Sequence, residues 1–325
     1  MMRILGVVGL LGILYGALIA SNPAAGKLGN LIDVANIQGR YGVLTLGAAL
    51  VIIIGGIDLS IGSVVGCAAV LFGVLMEGGV HPYAAVPIVI VAGLIVGMGN
   101  GTLITQLRLQ PFLVTLCGMF IYRGVARLLG GTVSRTRVTE PHPEFTDALQ
   151  SIRHLFVGKD ATGELLFPAQ FVILLVLAAV IGFFLHRTAY GRYWYAIGHN
   201  ELAAKYAGVR VDRHRIAVYM ICSALAALAG IMLFLDSPSI QSDSAGNSLE
   251  LYAILGAVLG GCSLRGGEGT APGMVLGAMV LPVLENLVSF RGEKSDVIPA
   301  VIGFTLLVGT IADEMIRRRS RVNRG

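Results

Sequence analysis

Apolar runs separated by short polar connectors cover almost the whole chain. The runs are long and continuous, as expected for helices, which need about 20 residues to cross a bilayer. They lack the apolar–polar alternation over about ten positions that marks the strands of a membrane β-barrel. The pattern therefore predicts an all-α, polytopic membrane protein with ten transmembrane helices. The predicted spans are 4–20, 42–55, 61–76, 84–104, 112–129, 171–185, 216–235, 251–264, 273–290 and 297–311.

The polar segments between these runs differ in length and charge. Residues 21–41 predict a connector that carries Asp33 and Arg40, residues 133–167 form the only long hydrophilic segment, and residues 187–215 are compact and rich in cations. The first apolar run follows Met-Met-Arg and is interpreted as an uncleaved span rather than a signal peptide, because the rest of the chain is also membranous. The chain is thus predicted to be one transmembrane domain over residues 1–325.

Basic residues in the short loops predict the orientation, because cytoplasmic loops carry an excess of Lys and Arg. Both termini are predicted to be cytoplasmic, which makes 187–215 a cytoplasmic loop and 133–167 a periplasmic one. The basic residues that this arrangement places in the cytoplasm are Arg3, Arg108, Arg187, Arg192, Lys205, Arg210, Arg213, Arg215, Arg265 and the cluster at 317–321.

Composition excludes several classes of function. Hydrophobic residues make up 55% and charged residues 13% of the 325 residues, whereas soluble domains carry about 25% charged residues. The net charge of +5 follows from basic residues at membrane edges, so no nucleic-acid partner is expected. The four cysteines lie within apolar spans as packing residues, with no metal-ligand spacing. The chain has no nucleotide-binding P-loop and no catalytic constellation, so no enzyme activity, metal or cofactor is expected.

The loop between the spans 171–185 and 216–235 predicts a short exposed helix. Asn200 is a good N-cap, Glu201 places negative charge at the helix start, and Gly208 suits a left-handed C-terminal cap. A helix at Asn200–Tyr206 would be a suitable contact for an ATPase on the cytoplasmic side. The alternative is an ordinary solvated connector.

Two glycine-rich interruptions share a GGxxLxxG frame, at residues 55–62 and 260–267. Broken helices are tolerated at membrane depth only where protein or a cavity satisfies the freed backbone groups, and they mark transport pathways; chance similarity is the alternative. Asp58 would cost about 2.5–3.5 kcal/mol in a bilayer centre, so it either lines a pathway or caps the next helix with Ser60. Ligand contact and interhelical hydrogen bonding are both open for Asn100, Gln110, Thr115 and Asn286.

Four ordered sequence blocks resemble the permeases of bacterial ABC importers for pentoses and hexoses, the ribose-permease family, over about residues 42–311. The departures from the family pattern are His199, Ala207 and Glu285. The blocks are Gly56–Ser63; Pro111–Leu116 with Arg123-Gly124; Gly191-Arg192 with Tyr195–Gly198 and Asn200; and Glu250-Leu251 with Gly260-Gly261 and Gly266-Gly267.

The resemblance implies a multi-pass permease of the bacterial inner membrane that imports a monosaccharide by alternating access. The implied monosaccharide is a pentose or a hexose, and the furanose form of the sugar is one possibility. Its implied partners are cytoplasmic ABC ATPase subunits, a periplasmic sugar-binding protein and a second permease, identical or paralogous. Implied coupling residues are Gly191, Arg192, Gly198, Asn200, Glu201, Ala203, Ala204 and Gly208. Implied pathway residues are Asp58, Ser60, Asn100, Phe112, Thr115 and Asn286.

Two other classes of function are open at this level. An ion-gradient-driven secondary transporter of a small polar solute would need buried acids, for which Asp58 and Glu285 are the candidates. A membrane scaffold without cargo is disfavoured by the glycine-rich interruptions.

Overall fold

The computed structural model describes residues 2–290, except 161 and 238, together with residues 300, 303, 304 and 307. Most of the predicted span 297–311 and the basic cluster at 317–321 lie outside the described residues, as do Arg291 and Lys294. The helices of the described part are α1 (Met2–Ser21), α2 (Leu28–Ile53), α3 (Ile61–Glu77), α4 (Pro82–Gln106), α5 (Pro111–Leu129), α6 (Arg135–Thr139), α7 (Thr146–Val157), α8 (Ala169–Arg187), α9 (Ala189–His199), α10 (Glu201–Tyr206), α11 (Val211–Asp236), α12 (Leu249–Leu259) and α13 (Ala271–Phe290).

Six of these helices are long and apolar enough to cross a membrane, namely α2, α4, α5, α8, α11 and α13. Three further helices, α1, α3 and α12, have shorter apolar stretches, at Gly6–Ala20, Ile61–Glu77 and Leu249–Leu259. The prediction of an all-α polytopic membrane protein is confirmed. The count of ten spans and the side on which each terminus lies remain predictions.

The predicted connector at 21–41 is wrong, because most of it belongs to α2. The connector ends early: Asn22 caps a single 3-10 turn, Pro23–Gly26, by accepting a hydrogen bond from the Ala24 amide at 2.9 Å. Helix α2 can carry polar residues because other helices satisfy them. Asn36 accepts a hydrogen bond from the Gln170 amide at 3.0 Å, and Gln38 donates to the Tyr15 hydroxyl at 2.9 Å.

The core is organised around α2 and α11, which are the most buried of the long helices. A row of glycines on α4 brings that helix against α11. A Cβ atom on Gly97 would lie 2.3 Å from the Tyr219 carbonyl oxygen, and Gly93 and Gly101 make similarly close approaches to Ser223 and Ile216. Close backbone approach through small residues is how helices pack in lipid, where burial of apolar surface gives little driving force.

One end of α11 is covered by a small layer formed by residues 132–167. Strand β1 (Thr132–Ser134) pairs antiparallel with β2 (Ser239–Gln241), with Val133 opposite Ile240. Arg135 and Arg153 both donate to the Leu235 carbonyl oxygen, at 3.4 and 3.3 Å.

Asp236 at the end of α11 is held by two further cations. Arg40 donates to it at 3.0 Å and Lys159 at 2.5 Å. Four cations therefore surround the helix end where the macrodipole is negative. This end is called the strand side, and the end with α9 and α10 the α10 side.

Candidate functional site

Two apolar helices, α3 and α12, are shorter than α11, and each follows a non-helical segment. The 26 residues of α11 span about 39 Å, whereas α3 with 17 residues and α12 with 11 residues span about 25 and 16 Å. Each is entered through a non-helical segment, residues 54–60 before α3 and residues 242–248 before α12. The second segment packs on the start of α3: a Cβ on Gly62 would lie 2.5 Å from the Gly246 carbonyl oxygen, and one on Gly66 2.3 Å from that of Ala245.

The second predicted helix break, residues 260–267, does not interrupt a helix within the membrane. That segment joins α12 to α13 on the α10 side, where the Gly267 amide donates to the Ile53 carbonyl oxygen at 2.8 Å. The likeness to residues 55–62 lies in the helix caps: Gly55 has φ 82° and Gly261 has φ 91°, a left-handed conformation that favours glycine. The caps align Gly55 with Gly261, one residue away from the GGxxLxxG frame.

The first break carries a chain of buried hydrogen bonds. Asp58 Oδ1 accepts from the backbone amide of Ser60 at 2.8 Å and from its hydroxyl at 2.6 Å. Asn100 of α4 donates to the Ser60 hydroxyl at 3.2 Å, and the Tyr122 hydroxyl of α5 donates to Asn100 Oδ1 at 2.8 Å. Thr115 adds a hydrogen bond to the Ile57 carbonyl oxygen at 3.3 Å. These bonds fix the extended segment against α4 and α5.

The predicted pathway residues separate into three groups. Asp58, Ser60, Asn100 and Thr115 come together, but each is at most 2% exposed, so they support the surface from behind rather than line it. The capping alternative for Asp58 fits in part, because Asp58 Oδ1 binds the amide of Ser60, the residue just before α3. Asp58 Oδ2 has no hydrogen-bond partner. Phe112 is 51% exposed on α5.

Asn286 does not join this group. It exchanges side-chain hydrogen bonds with Asn30 of α2, at 3.2 and 3.5 Å. Its neighbour Glu285 accepts a hydrogen bond from the Tyr41 hydroxyl at 3.5 Å. Both side chains of α13 therefore serve the contact between α13 and α2.

Exposed polar residues also lie on residues 242–248, a segment to which sequence reasoning gave no role. Asp243, Ser244, Asn247 and Ser248 are exposed, and Tyr122 and Arg123 of α5 are partly exposed. These six residues are called the central polar surface. Irregular, polar backbone within the hydrocarbon region faces water or protein rather than lipid. The polar run 241–250 after the span 216–235 is the signal that could have revealed it.

Arg123 of this surface and Glu250 beside it each have an unpaired polar atom. Glu250, in the first turn of α12, is 7% exposed, and its Oε2 has no hydrogen-bond partner. Arg123 of α5 has a buried Nε, likewise without a partner. Both residues stand in the sequence blocks that carry the family resemblance, but sequence reasoning gave neither a role.

The predicted short helix on the α10 side is confirmed as α10. Asn200 Oδ1 accepts a hydrogen bond from the Ala203 amide at 3.0 Å, and Gly208 ends the helix with φ 83°. Glu201 forms an ion pair with Arg215 at 2.7 Å. Beside α10, a cleft of about 680 Å³ is lined by residues from the α4–α5 turn and the start of α11.

The exposed face of α10 differs from the predicted one. Ala204 is 5% exposed and packs into the core, so it does not lie on the exposed face of α10, and its part in an ATPase contact stays a prediction. Leu202 and Tyr206 form the outward apolar face, at 67% and 90% exposed. Glu201 and Ala203 are also exposed, and so is Arg192 on α9.

Gly198 joins α9 to the ends of two other helices. A Cβ at this position would lie 1.8 Å from the Ile53 carbonyl oxygen and 2.5 Å from the Gly267 amide. Tyr195 donates to the Gly269 carbonyl oxygen at 2.7 Å, and Gly191 is packed equally tightly against the end of α8. Helix α9 is therefore packed closely against the end of α2 and the α12–α13 loop.

Comparison with known protein families decides the class. The family described as the permease component of branched-chain amino acid transport systems matches residues 30–309. The chain belongs to this permease family. The match covers α2 to α13 and therefore both non-helical segments and α10.

Individual relatives cover most of the chain. It is 31% identical to the fructose import permease protein FruF of Bifidobacterium longum, over 90% of this chain and 79% of that one. It is 31% identical to the ribose import permease protein RbsC of Bacillus subtilis, over 90% and 87%. It is 34% identical to the autoinducer 2 import system permease protein LsrD of an Enterobacter species, over 82% and 79%. No solved structure matches the chain.

Proposed function

We propose that this permease subunit of an ABC importer moves a monosaccharide, a pentose or hexose, across the bacterial inner membrane through the central polar surface. The single observation that supports the proposal is the packing of residues 242–248 on Gly62 and Gly66 of α3, which brings their exposed polar side chains among the apolar helices. Hydroxyl and amide side chains there can donate and accept hydrogen bonds, as the hydroxyls of a sugar require. The names of relatives, which include ribose and fructose import permeases, support the same substrate class.

The open side of the surface is covered by a second permease in this proposal. Helix α5 is only 22% buried over its apolar window, yet it carries Arg123 about 18 Å from its start on the α10 side. An arginine at that depth is costly against lipid. A second copy or a paralogous chain facing α5 would enclose the surface as a pathway that opens to one side at a time.

The work is supplied by ATPase subunits that dock on α10. Leu202 and Tyr206 give this short helix an apolar outward face, and Gly198 connects it to α2 and to the α12–α13 loop. The α10 side is then cytoplasmic, and the strand side, with its folded layer, receives a periplasmic sugar-binding protein. ATP hydrolysis belongs to the separate subunits.

Transport by the reconstituted complex tests this function. The permease, its ATPase and its binding protein in proteoliposomes should take up one monosaccharide from a panel of pentoses and hexoses, only with ATP present. Uptake that needs an ion gradient and no ATP would overturn the proposal in favour of a secondary transporter. Uptake of leucine or valine but no sugar would overturn the substrate class.

A further inference from the structure

A cavity of about 540 Å³ lies on the α10 side, between α9 and the start of α11. It is distinct from the cleft beside α10, because no residue lines both of them. Its volume is within the range of about 300–1,000 Å³ that is usual for sites that bind small molecules. The aromatic and basic residues that line the cavity are Tyr190, Tyr193, Trp194, Arg210, Arg213 and His214.

The cavity and the cleft differ in charge. Among the described residues that line the cavity, Arg210 and Arg213 are cationic and none is acidic, whereas Glu201 and Asp212 both line the cleft. Glu201 is paired there with Arg215 at 2.7 Å. Arg210 and Arg213 are exposed, and neither forms an ion pair with another described residue. Guanidinium groups bind phosphate well, and the start of α11 adds the positive end of a helix macrodipole, so the cavity favours an anion.

The aromatic side of the cavity is held in place by His214. Trp194 Nε1 donates to His214 Nδ1 at 3.3 Å, and the rings of Tyr190 and Tyr193 lie 5.7 and 5.3 Å from the imidazole ring. Because Nδ1 accepts this hydrogen bond, the imidazole proton is on Nε2, which is therefore a donor. The site is thus formed by packed side chains rather than by two arginines alone.

The cavity lies beside the end of a helix that faces lipid. Exposed apolar residues recur on one face of α8, at Val176, Val180 and Phe183. One turn further, the ring of Phe184 lies 5.9 Å from that of Tyr190 and 6.1 Å from that of Trp194. Tyrosine and tryptophan are enriched where the bilayer meets water. A molecule in the cavity could therefore keep an apolar part on α8.

Charge and position together select the occupant. Aromatic rings can hold the quaternary ammonium of a choline headgroup, but Arg210 and Arg213 would repel it. A soluble anion would gain nothing from the exposed face of α8. Basic pockets between membrane helices are known to bind the headgroups of anionic lipids.

We propose that this cavity binds the phosphate of a phospholipid with a net negative headgroup, held by Arg210 and Arg213, while its acyl chains lie along α8. The site does not depend on which substrate the permease moves, so it stands or falls separately from the proposed monosaccharide transport.

Fluorescence of Trp194 tests the proposal, because this residue is the only tryptophan in the chain and it lines the cavity. The full-length permease in detergent is titrated with short-chain phosphatidylglycerol and, separately, with short-chain phosphatidylcholine. Phosphatidylglycerol should give a saturable change in emission, at an affinity about tenfold or more above that for phosphatidylcholine. Arg210→Gln/Arg213→Gln should weaken phosphatidylglycerol binding by about tenfold or more, since hydrogen bonds to a charged group are lost.

The matched control is Arg108→Gln/Lys205→Gln, which removes two cations from the cleft on the same side and should bind phosphatidylglycerol like the wild type. Equal affinity of the wild type for both lipids would overturn the proposal, and so would equal affinity of the cavity variant and the control. Inorganic phosphate that binds as tightly as phosphatidylglycerol would identify a soluble anion as the occupant instead. Unchanged lipid binding by the cavity variant, with loss of its ATPase on co-purification, would assign the cavity to the ATPase contact.

Discussion

Two groups of charges in this permease are buried to a similar degree and are satisfied very differently. At the strand side, Asp236 is matched by Arg40 and Lys159 at 3.0 and 2.5 Å. On α12 and α5, Glu250 and Arg123 each have an unpaired polar atom. The first group fastens residues 132–160 to the end of α11 through ion pairs, although Arg40 Nε also lacks a partner. The second group forms no ion pair among the described residues.

The largest effect is expected where the two non-helical segments touch. Gly62→Ala would place a methyl group 2.1 Å from Glu250 Oε2 and 2.5 Å from the Gly246 carbonyl oxygen. Overpacking of this kind costs about 1–3 kcal/mol, and it would also displace Glu250. Sugar uptake should fall by roughly tenfold or more. Gly99→Ala, where a Cβ meets nothing within 4 Å, is the matched control and should transport normally; equal uptake by both variants would contradict the contact.

The next largest effect is a difference in melting temperature between variants of the two charge groups. Asp236→Asn leaves Arg40 and Lys159 without their partner, and breaking a buried pair from one side costs about 3 kcal/mol. Its melting temperature in detergent should fall by several degrees. Glu250→Gln should leave the melting temperature unchanged or raise it, because an unpaired buried charge is removed. The reverse order of the two melting temperatures would refute the distinction between paired and unpaired charge.

A smaller effect, confined to coupling, is expected on α10. Tyr206→Ala removes a ring that is 90% exposed and has no role in the core of this chain. If that ring anchors the ATPase, its loss should weaken association by about 2 kcal/mol or more, about thirtyfold. The insertion level of the permease should not change. Co-purification of the ATPase at the wild-type ratio would exclude Tyr206 as an anchor, and Tyr83→Ala, exposed on α4, serves as the control.

The smallest effect is expected at Asp58. Asparagine keeps the Oδ1 that accepts from the Ser60 amide and hydroxyl, and the residue is 2% exposed. Asp58→Asn should therefore change the uptake rate by less than about threefold. Abolished uptake with normal membrane levels would show that the Asp58 charge itself takes part in transport.

The sequence patterns predicted local features well and tertiary ones poorly. The cap at Asn200 and the left-handed Gly208 depend on neighbours within a few residues, so both were predictable. The span predicted for α2 was too short. The polar residues at the start of this helix are hydrogen-bonded by partners as distant in sequence as Gln170, which sequence spacing does not reveal. Burial of Ala204 was missed for the same reason.

The functional surface was the hardest feature to predict. Asp58 attracted attention as a charged residue in an apolar region, yet it lies behind the surface. Residues 242–248 resemble an ordinary external loop in sequence. Only the structure shows that they pack on Gly62 and Gly66 of α3.

Accessibility of position 247 tests the central claim most directly. A single cysteine replaces Asn247 in a variant without the native Cys67, Cys117, Cys222 and Cys262, and its reaction with an impermeant thiol reagent is followed from each side of proteoliposomes. Ile95→Cys, 58% exposed in the middle of α4, is the lipid-facing control and should not react. The account predicts that position 247 reacts from one side only, and that the side changes when ATP and the loaded binding protein are added. No reaction in any state, or equal reaction from both sides regardless of ATP, would contradict it.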